Sequence, residues 1–198
     1  MKKLWKRSLI AAGVVASAWT ALTIWVELPG PAVLVEVGDP AWSRRALIVY
    51  DPDPIYDLDA QVCRAFAEGL ATDSMRSTIA TVAAAGTLDP QSFDLYVFCA
   101  NTYNWRPDRA ITGFIEDPID LHGRPVMAIT LGSGSTGAAQ RAFEAVITGK
   151  GAVLLDSRAF WLMRPNDERR MDEGNVDVAL DLVREQAVGI ARGLAKHP

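Results

Sequence analysis

The spacing of apolar and polar positions divides the chain into three stretches of different character. Behind the charged start "MKKLWKR", Leu9 to Val26 runs for 18 residues without a charge. A Pro- and Gly-bearing stretch follows, and from Arg45 onward short apolar runs alternate with segments of helical period. That alternation predicts a parallel sheet covered on both faces. Five strands are expected, at Ala46 to Tyr50, Ser77 to Val82, Leu95 to Ala100, Val126 to Leu131 and Ala152 to Leu155. Helices are expected from about Asp59 to Leu70, Asp108 to Glu116 and Ala138 to Ile147. The last, from about Val176 to Leu194, carries Val176, Leu180, Val183, Ala187, Ile190 and Leu194 on one stripe behind an Asn175 cap.

The uncharged run is long enough to cross a bilayer core as a helix, which takes about 20 apolar residues. Ala16, Ser17 and Ala18 offer an A-x-A-like cleavage site, but the apolar run continues past it through "WTALTIWV". An uncleaved anchor over residues 1–26 is therefore expected, with Trp5, Trp19 and Trp25 near its ends. Lys2, Lys3, Lys6 and Arg7 precede the run, and no Lys or Arg follows it before Arg44. This asymmetry places the amino terminus in the cytoplasm and the domain on the non-cytoplasmic side of the inner (plasma) membrane, held by a single pass. Residues 27–44 read as a linker and 45–198 as the domain.

Composition narrows the chemistry. The net charge is −4 at pH 7, and the basic residues form no stripe that could follow a phosphate backbone, so nucleic acid is not an expected partner. Cys63 and Cys99 form no CxxC pair, and His122 and His197 stand apart, which argues against a zinc site or a disulfide scaffold. Neither His has partners for a Ser/His/Asp-type triad.

In a parallel sheet of this kind ligands bind beyond the carboxyl ends of the strands, where the winding direction reverses. Three loops are then of interest: "DPDPIYD", "NTYNWRP" and "GSGSTG". The stretch "DPQSFDLYVFCANTYNWRPDRAITGFIED" and the stretch "LHGRPVMAITLGSGSTG" together resemble the flavodoxin-like family, which includes flavodoxins, NAD(P)H:quinone reductases and NADPH-dependent FMN reductases. The resemblance covers residues 45–195 and implies a three-layer α/β fold. It also implies FMN as cofactor, electron or hydride transfer as activity, and a quinone or a redox protein as partner. By the same resemblance Thr102, Tyr103, Asn104 and Trp105 border one edge of the flavin ring, and Gly132, Ser133 and Gly134 another, while Arg106 either neutralises an anionic flavin or meets a substrate, or stays a solvated loop charge. Aromatic faces suit a flat ring, and glycine lets backbone amides approach it.

The first loop departs from the family pattern. Small hydroxyl residues and amides that wrap a phosphate are replaced by Asp51, Pro52, Asp53, Pro54, Ile55, Tyr56 and Asp57. Two prolines remove donors and the acids repel a dianion. Three explanations stand open. Asp57 or Asp59 caps the following helix while Asp51 and Asp53 shape a turn; a divalent cation sits on Asp51 and Asp53; or the phosphate moves to "GSGSTG". A flavin-free binding or scaffold domain is the main alternative function. Two lesser ones have motifs of their own. Gly132, Gly134 and Gly137 with Asp156 match a dinucleotide fingerprint. Asp51 and Asp53, with Thr130, Lys150 and Asp156, suggest a cation-dependent phosphatase.

Overall fold

The computed structural model of the chain describes residues 2–196 apart from Pro29 and Pro118; His197 lies outside the described residues. Helix α1 (Lys2–Val26) is followed by a short strand β1 (Leu34–Val37). The domain then runs β2 (Arg44–Tyr50), α2 (Leu58–Ala71), β3 (Met75–Thr81), the short α3 (Val82–Ala85), β4 (Leu95–Tyr103) and β5 (Arg106–Pro107). It closes with α4 (Arg109–Glu116), β6 (Pro125–Gly132), α5 (Gly137–Gly149), β7 (Val153–Trp161) and α6 (Asn175–Lys196).

The five expected strands are all present and lie parallel in the order β3-β2-β4-β6-β7. The count of five needs correction, because two antiparallel strands extend the sheet. One is β5, a short return pairing with the end of β4. The other is β1, which lies inside the stretch read as linker and pairs with the outer edge of β3, Leu34 opposite Ala80 and Val37 opposite Ser77. Thr81 locks this addition: its hydroxyl donates to the Pro31 carbonyl (2.8 Å) and accepts from the Val33 amide (3.0 Å).

Alternate residues of each central strand feed two cores. Ala46, Ile48 and Tyr50 point to the side covered by α2 and α6, whereas Leu47 and Val49 point to the side covered by α3, α4 and α5. Phe66 and Leu70 anchor α2 in the first core, and each fully buried side chain of this kind contributes about 1.5–3 kcal/mol. A methyl group at Gly69 would collide with the Arg184 carbonyl, so α2 and α6 can approach only because that position is glycine. In α6, Val183 and Ala187 are buried as the stripe predicts, joined by Val178, Ala179 and Ala191. Asn175 does not act as the expected cap. Its amide instead donates to the carbonyls of Trp161 (2.7 Å), Leu162 (3.1 Å) and Arg164 (2.9 Å), pinning the loop between β7 and α6.

Only one helix, α1, is long and apolar enough to cross a membrane among the described residues, over Trp5–Val26. It stands apart from both cores, yet its last two turns reach the domain, as described next.

Candidate functional site

Strand order reverses between β3 and β4 on either side of β2, so the loops after β2, β4 and β6 meet above the carboxyl ends of the strands. They enclose a crevice of about 490 Å³. Its walls include Tyr56, Thr102, Tyr103, Trp105, Gly132 and Ser133, and across its mouth lie Trp19, Leu22, Thr23 and Val26 of α1.

The β4 to β5 connection is a tight hairpin with Tyr103 opposite Arg106 and Thr102 opposite Pro107. Asn104 and Trp105 form its two-residue turn, at φ 49° and 62°. A turn with both central residues in the left-handed region matches the twist of paired strands and ordinarily takes Asn-Gly. Here the second place holds a Trp, 65% exposed, in a conformation unfavourable for a bulky side chain. On the opposite wall a methyl group at Gly132 would stand 2.7 Å from Thr136 Cγ2 and 3.2 Å from Thr102 Cβ. The glycine therefore lets the ends of β4 and β6 close up while leaving the slot above them open. Thr102 Oγ1 is buried beside this contact without a hydrogen-bond partner among the described residues. Such an orphaned hydroxyl in a crevice wall would serve a ligand only by turning out of its buried position toward the slot.

The acidic loop behaves differently. Asp53 folds back on its own turn: Oδ1 accepts from the amides of Ile55 (2.7 Å) and Tyr56 (3.0 Å), and Oδ2 accepts from the Tyr103 hydroxyl (2.7 Å). The Asp53 amide in turn donates to Asp59 Oδ2 (2.7 Å). Amides ahead of a helix start in this position are the ones a phosphate would use, and here carboxylates of the same chain use them. Asp57 occupies the cap position of α2 but its side chain makes no cap hydrogen bond. Asp59, expected as an alternative cap, is buried and accepts from Ala60 N (2.7 Å) and Asn101 Nδ2 (3.0 Å).

Asn101 sits at the centre of these acids. Its amide group also donates to the Asp51 carbonyl (3.2 Å), and its backbone exchanges hydrogen bonds with Asp108, the cap of α4. Burial pushes the Asp108 carboxyl up to about 7, with the nearby Asp51 adding to the rise. Burial likewise pushes Asp59 up to about 6, against the hydrogen bonds it receives, and raises Asp51. The Tyr103 hydroxyl is pushed up by burial and by the Asp53 carboxylate it donates to. None of these four acids is paired with a Lys or Arg among the described residues.

Of the residues singled out from the sequence, Thr102, Tyr103, Asn104, Trp105, Gly132 and Ser133 line the crevice together. Arg106 is exposed on β5 and Gly134 faces Arg164, both outside the crevice lining. Asp51 and Asp53 belong to the acidic loop, with Asp51 Oδ1 accepting from the Gly30 amide (3.2 Å). Among the described residues no group of three or more His, Cys, Asp or Glu is arranged to hold a metal ion. The phosphatase set does not assemble: Lys150 follows α5 at the far end of the sheet, its Nζ on the Glu116 carbonyl (2.9 Å). Asp156 lies inside β7 rather than at its end and is held by Gln186 (2.7 Å). Sequence reasoning missed the α1 contribution, Asn101, Asp108 and Met163.

These features define a flavodoxin-like α/β fold with a ligand-sized crevice at its switch point. Among solved structures, the chain is similar to a flavodoxin, WrbA-like protein from Agrobacterium tumefaciens (TM-score 0.57, 14% identity), covering 79% of this chain and 100% of that one. It is also similar to a flavodoxin from the domain Archaea (TM-score 0.52, 11% identity; 75% and 99% covered). A third likeness is to the metal-soaked Flv1 flavodiiron core from Synechocystis sp. (TM-score 0.59, 13% identity; 80% of this chain), of whose length the matched region spans 38%. No protein-family model and no curated protein matches the chain.

Proposed function

We propose that this is a membrane-anchored redox protein whose crevice grips a flat conjugated ring by its faces and edges rather than by a phosphate. The observation that carries the reading is the slot itself, about 490 Å³, bounded by Tyr103 and Trp105 on one side and Gly132 on the other. The fold likeness supports a flavin-type ring as the occupant. FMN fits this site only in part: the ring end has its slot and the free Thr102 hydroxyl, but the place for the phosphate is filled by Asp53. A flavin ring, when bound, supplies the electron or hydride chemistry. The chain would orient the ring between aromatic side chains, offer it the Thr102 hydroxyl and shield it from water with α1. The same acids favour a second reading, a flavin-free member that uses the crevice to bind a partner molecule. The anchor and the flanking charges support a single-pass protein with its domain on the non-cytoplasmic side of the inner membrane, near quinone or a redox partner.

The test uses the full chain in detergent, titrated with riboflavin and with FMN while flavin fluorescence is followed. Riboflavin should bind at least about tenfold more tightly, because a carboxylate about 4 Å from a phosphate charge opposes binding by several kcal/mol at the effective dielectric of a protein surface. FMN binding as tightly as riboflavin would overturn the exclusion of phosphate, and no binding of either would favour the flavin-free reading.

A further inference from the structure

The way α1 meets the domain fixes where the crevice opens. The two do not join end to end. Trp19, Thr23 and Val26, spaced i, i+4, i+7 on one helix face, lie against the crevice mouth. Trp19 Nε1 donates to Asn104 Oδ1 (3.0 Å), Asn104 Nδ2 donates to Thr23 Oγ1 (3.2 Å), and just beyond the helix Glu27 pairs with Arg109 (3.1 Å). The hairpin tip thus stands beside the last two turns of the helix.

The span has almost no length to spare. Its 22 residues, Trp5–Val26, make about 33 Å of helix against a hydrocarbon core of about 30 Å. Thr23 and Trp19 lie about 5 and 10 Å back from its end. A helix seated across the bilayer therefore carries the hairpin tip in with it. We propose that the mouth of the crevice is immersed in the outer interfacial layer of the bilayer, with Trp105 and Met163 resting in lipid beside α1. This rests on reading α1 as an uncleaved anchor.

Three further observations agree. Trp105 and Met163 are 65% and 77% exposed, on the same rim as the half-exposed Ile55 and Tyr56, so large apolar side chains are presented on the side of the helix. Trp105 occupies a left-handed turn position at φ 62°, a conformation that a buried packing role does not explain, since the indole projects outward. Asn104, the polar residue carried deepest, has both ends of its amide satisfied by Trp19 and Thr23, which is the condition for placing an amide near hydrocarbon. Trp25, one residue from the end of the span, stands at the depth where indoles settle, with Trp19 deeper beside the hairpin. The consequence is that a lipid-soluble ring compound such as a quinone can reach the crevice directly from the membrane.

Cys63 and Cys99 are fully buried, so an introduced cysteine is the only readily labelled thiol of the full chain. Four single variants of the full chain, reconstituted in phosphatidylcholine vesicles, carry a fluorescent label at positions 13, 105, 149 and 163. Gly13→Cys reports the middle of α1, and Gly149→Cys the opposite end of the sheet; at both a side chain meets open space. Trp105→Cys reports the hairpin tip, and Met163→Cys keeps the rim accessible to test should the turn not tolerate substitution. Nitroxide-bearing lipid should quench labels at 13, 105 and 163 several-fold more than the label at 149. Quenching at 13 but at neither 105 nor 163 would overturn the immersion while leaving the anchor intact. No quenching at 13 would remove the anchor and the immersion with it. Equal quenching at 149 and 105 would show the domain lying on lipid without orientation, which also overturns the proposal.

Discussion

Acidification from pH 8 to pH 5 should stabilise the domain. Asp108 and Asp59 are almost completely buried, at 2% and 1% exposure, and burial lifts their carboxyls to about 7 and about 6 from 3.8. Because the folded-state values are the higher ones, the native protein takes up protons before the unfolded chain does. Stability therefore rises as the pH falls through about 7 and then about 6, and the gain is complete near 3.8. At pH 5 the gain is about 3 kcal/mol from Asp108 and about 1 kcal/mol from Asp59. Asp51, also raised by burial, acts in the same direction. For a protein of this size about 4 kcal/mol corresponds to a rise in Tm of roughly 10 °C. Scanning calorimetry of the full chain in nonionic detergent at the two pH values measures it directly. The Asp108→Asn variant should lose most of the dependence, although one of the two amides accepted by Asp108 loses its acceptor. A Tm that is level or lower at pH 5 would refute the claim that burial disfavours the charged form of these acids in the native protein.

Three other outcomes follow from the site. Gly132→Ala should destabilise by about 1–3 kcal/mol in urea unfolding, since its methyl group has to displace Thr136 or Thr102, and it should abolish ring binding. Trp105→Gly should leave stability unchanged or raise it by up to about 1 kcal/mol, because glycine removes the left-handed penalty at an exposed position; a loss of more than about 2 kcal/mol would show the indole to be packed. Calorimetric titration with magnesium or calcium should release no binding heat, because Asp53 is engaged by Ile55, Tyr56 and Tyr103 and Asp51 by Gly30. Heat that disappears in the double variant Asp51→Asn/Asp53→Asn would place a cation there after all.

The parallel strands were legible because both faces of a central strand are buried, which writes a continuous apolar run such as "ALIVY" into the chain. The same logic cut β7 short. It is an edge strand with exposed and half-exposed positions, so Asp156, Ser157 and Arg158 look like a loop although they pair with Met127 to Ile129 of β6. β1 was invisible for another reason: four residues among prolines and glycines carry no local sign of a partner forty or more positions away. The crevice walls could be placed because topology alone puts the loops after β2, β4 and β6 at one end. What sequence could not supply was the fate of the acids. Asp59 reads as a surface helix start, and only the meeting of β2, β4 and α2 around Asn101 buries it. Nor does the apolar run of α1 reveal which of its residues, Trp19 among them, lie against the domain.

The strap formed by β1 bears on how the domain can be handled without its helix. A fragment trimmed at 45, where the apolar rhythm begins, would strip four ladder positions from the rim of β3 and leave unpaired amides and carbonyls inviting a neighbouring molecule. It would also remove Arg44, which ties the Ala191 and Asp73 carbonyls of two separate segments. Trimming at Gly30 spares both, so a fragment that keeps the whole sheet starts fifteen residues earlier than the hydrophobic pattern suggests.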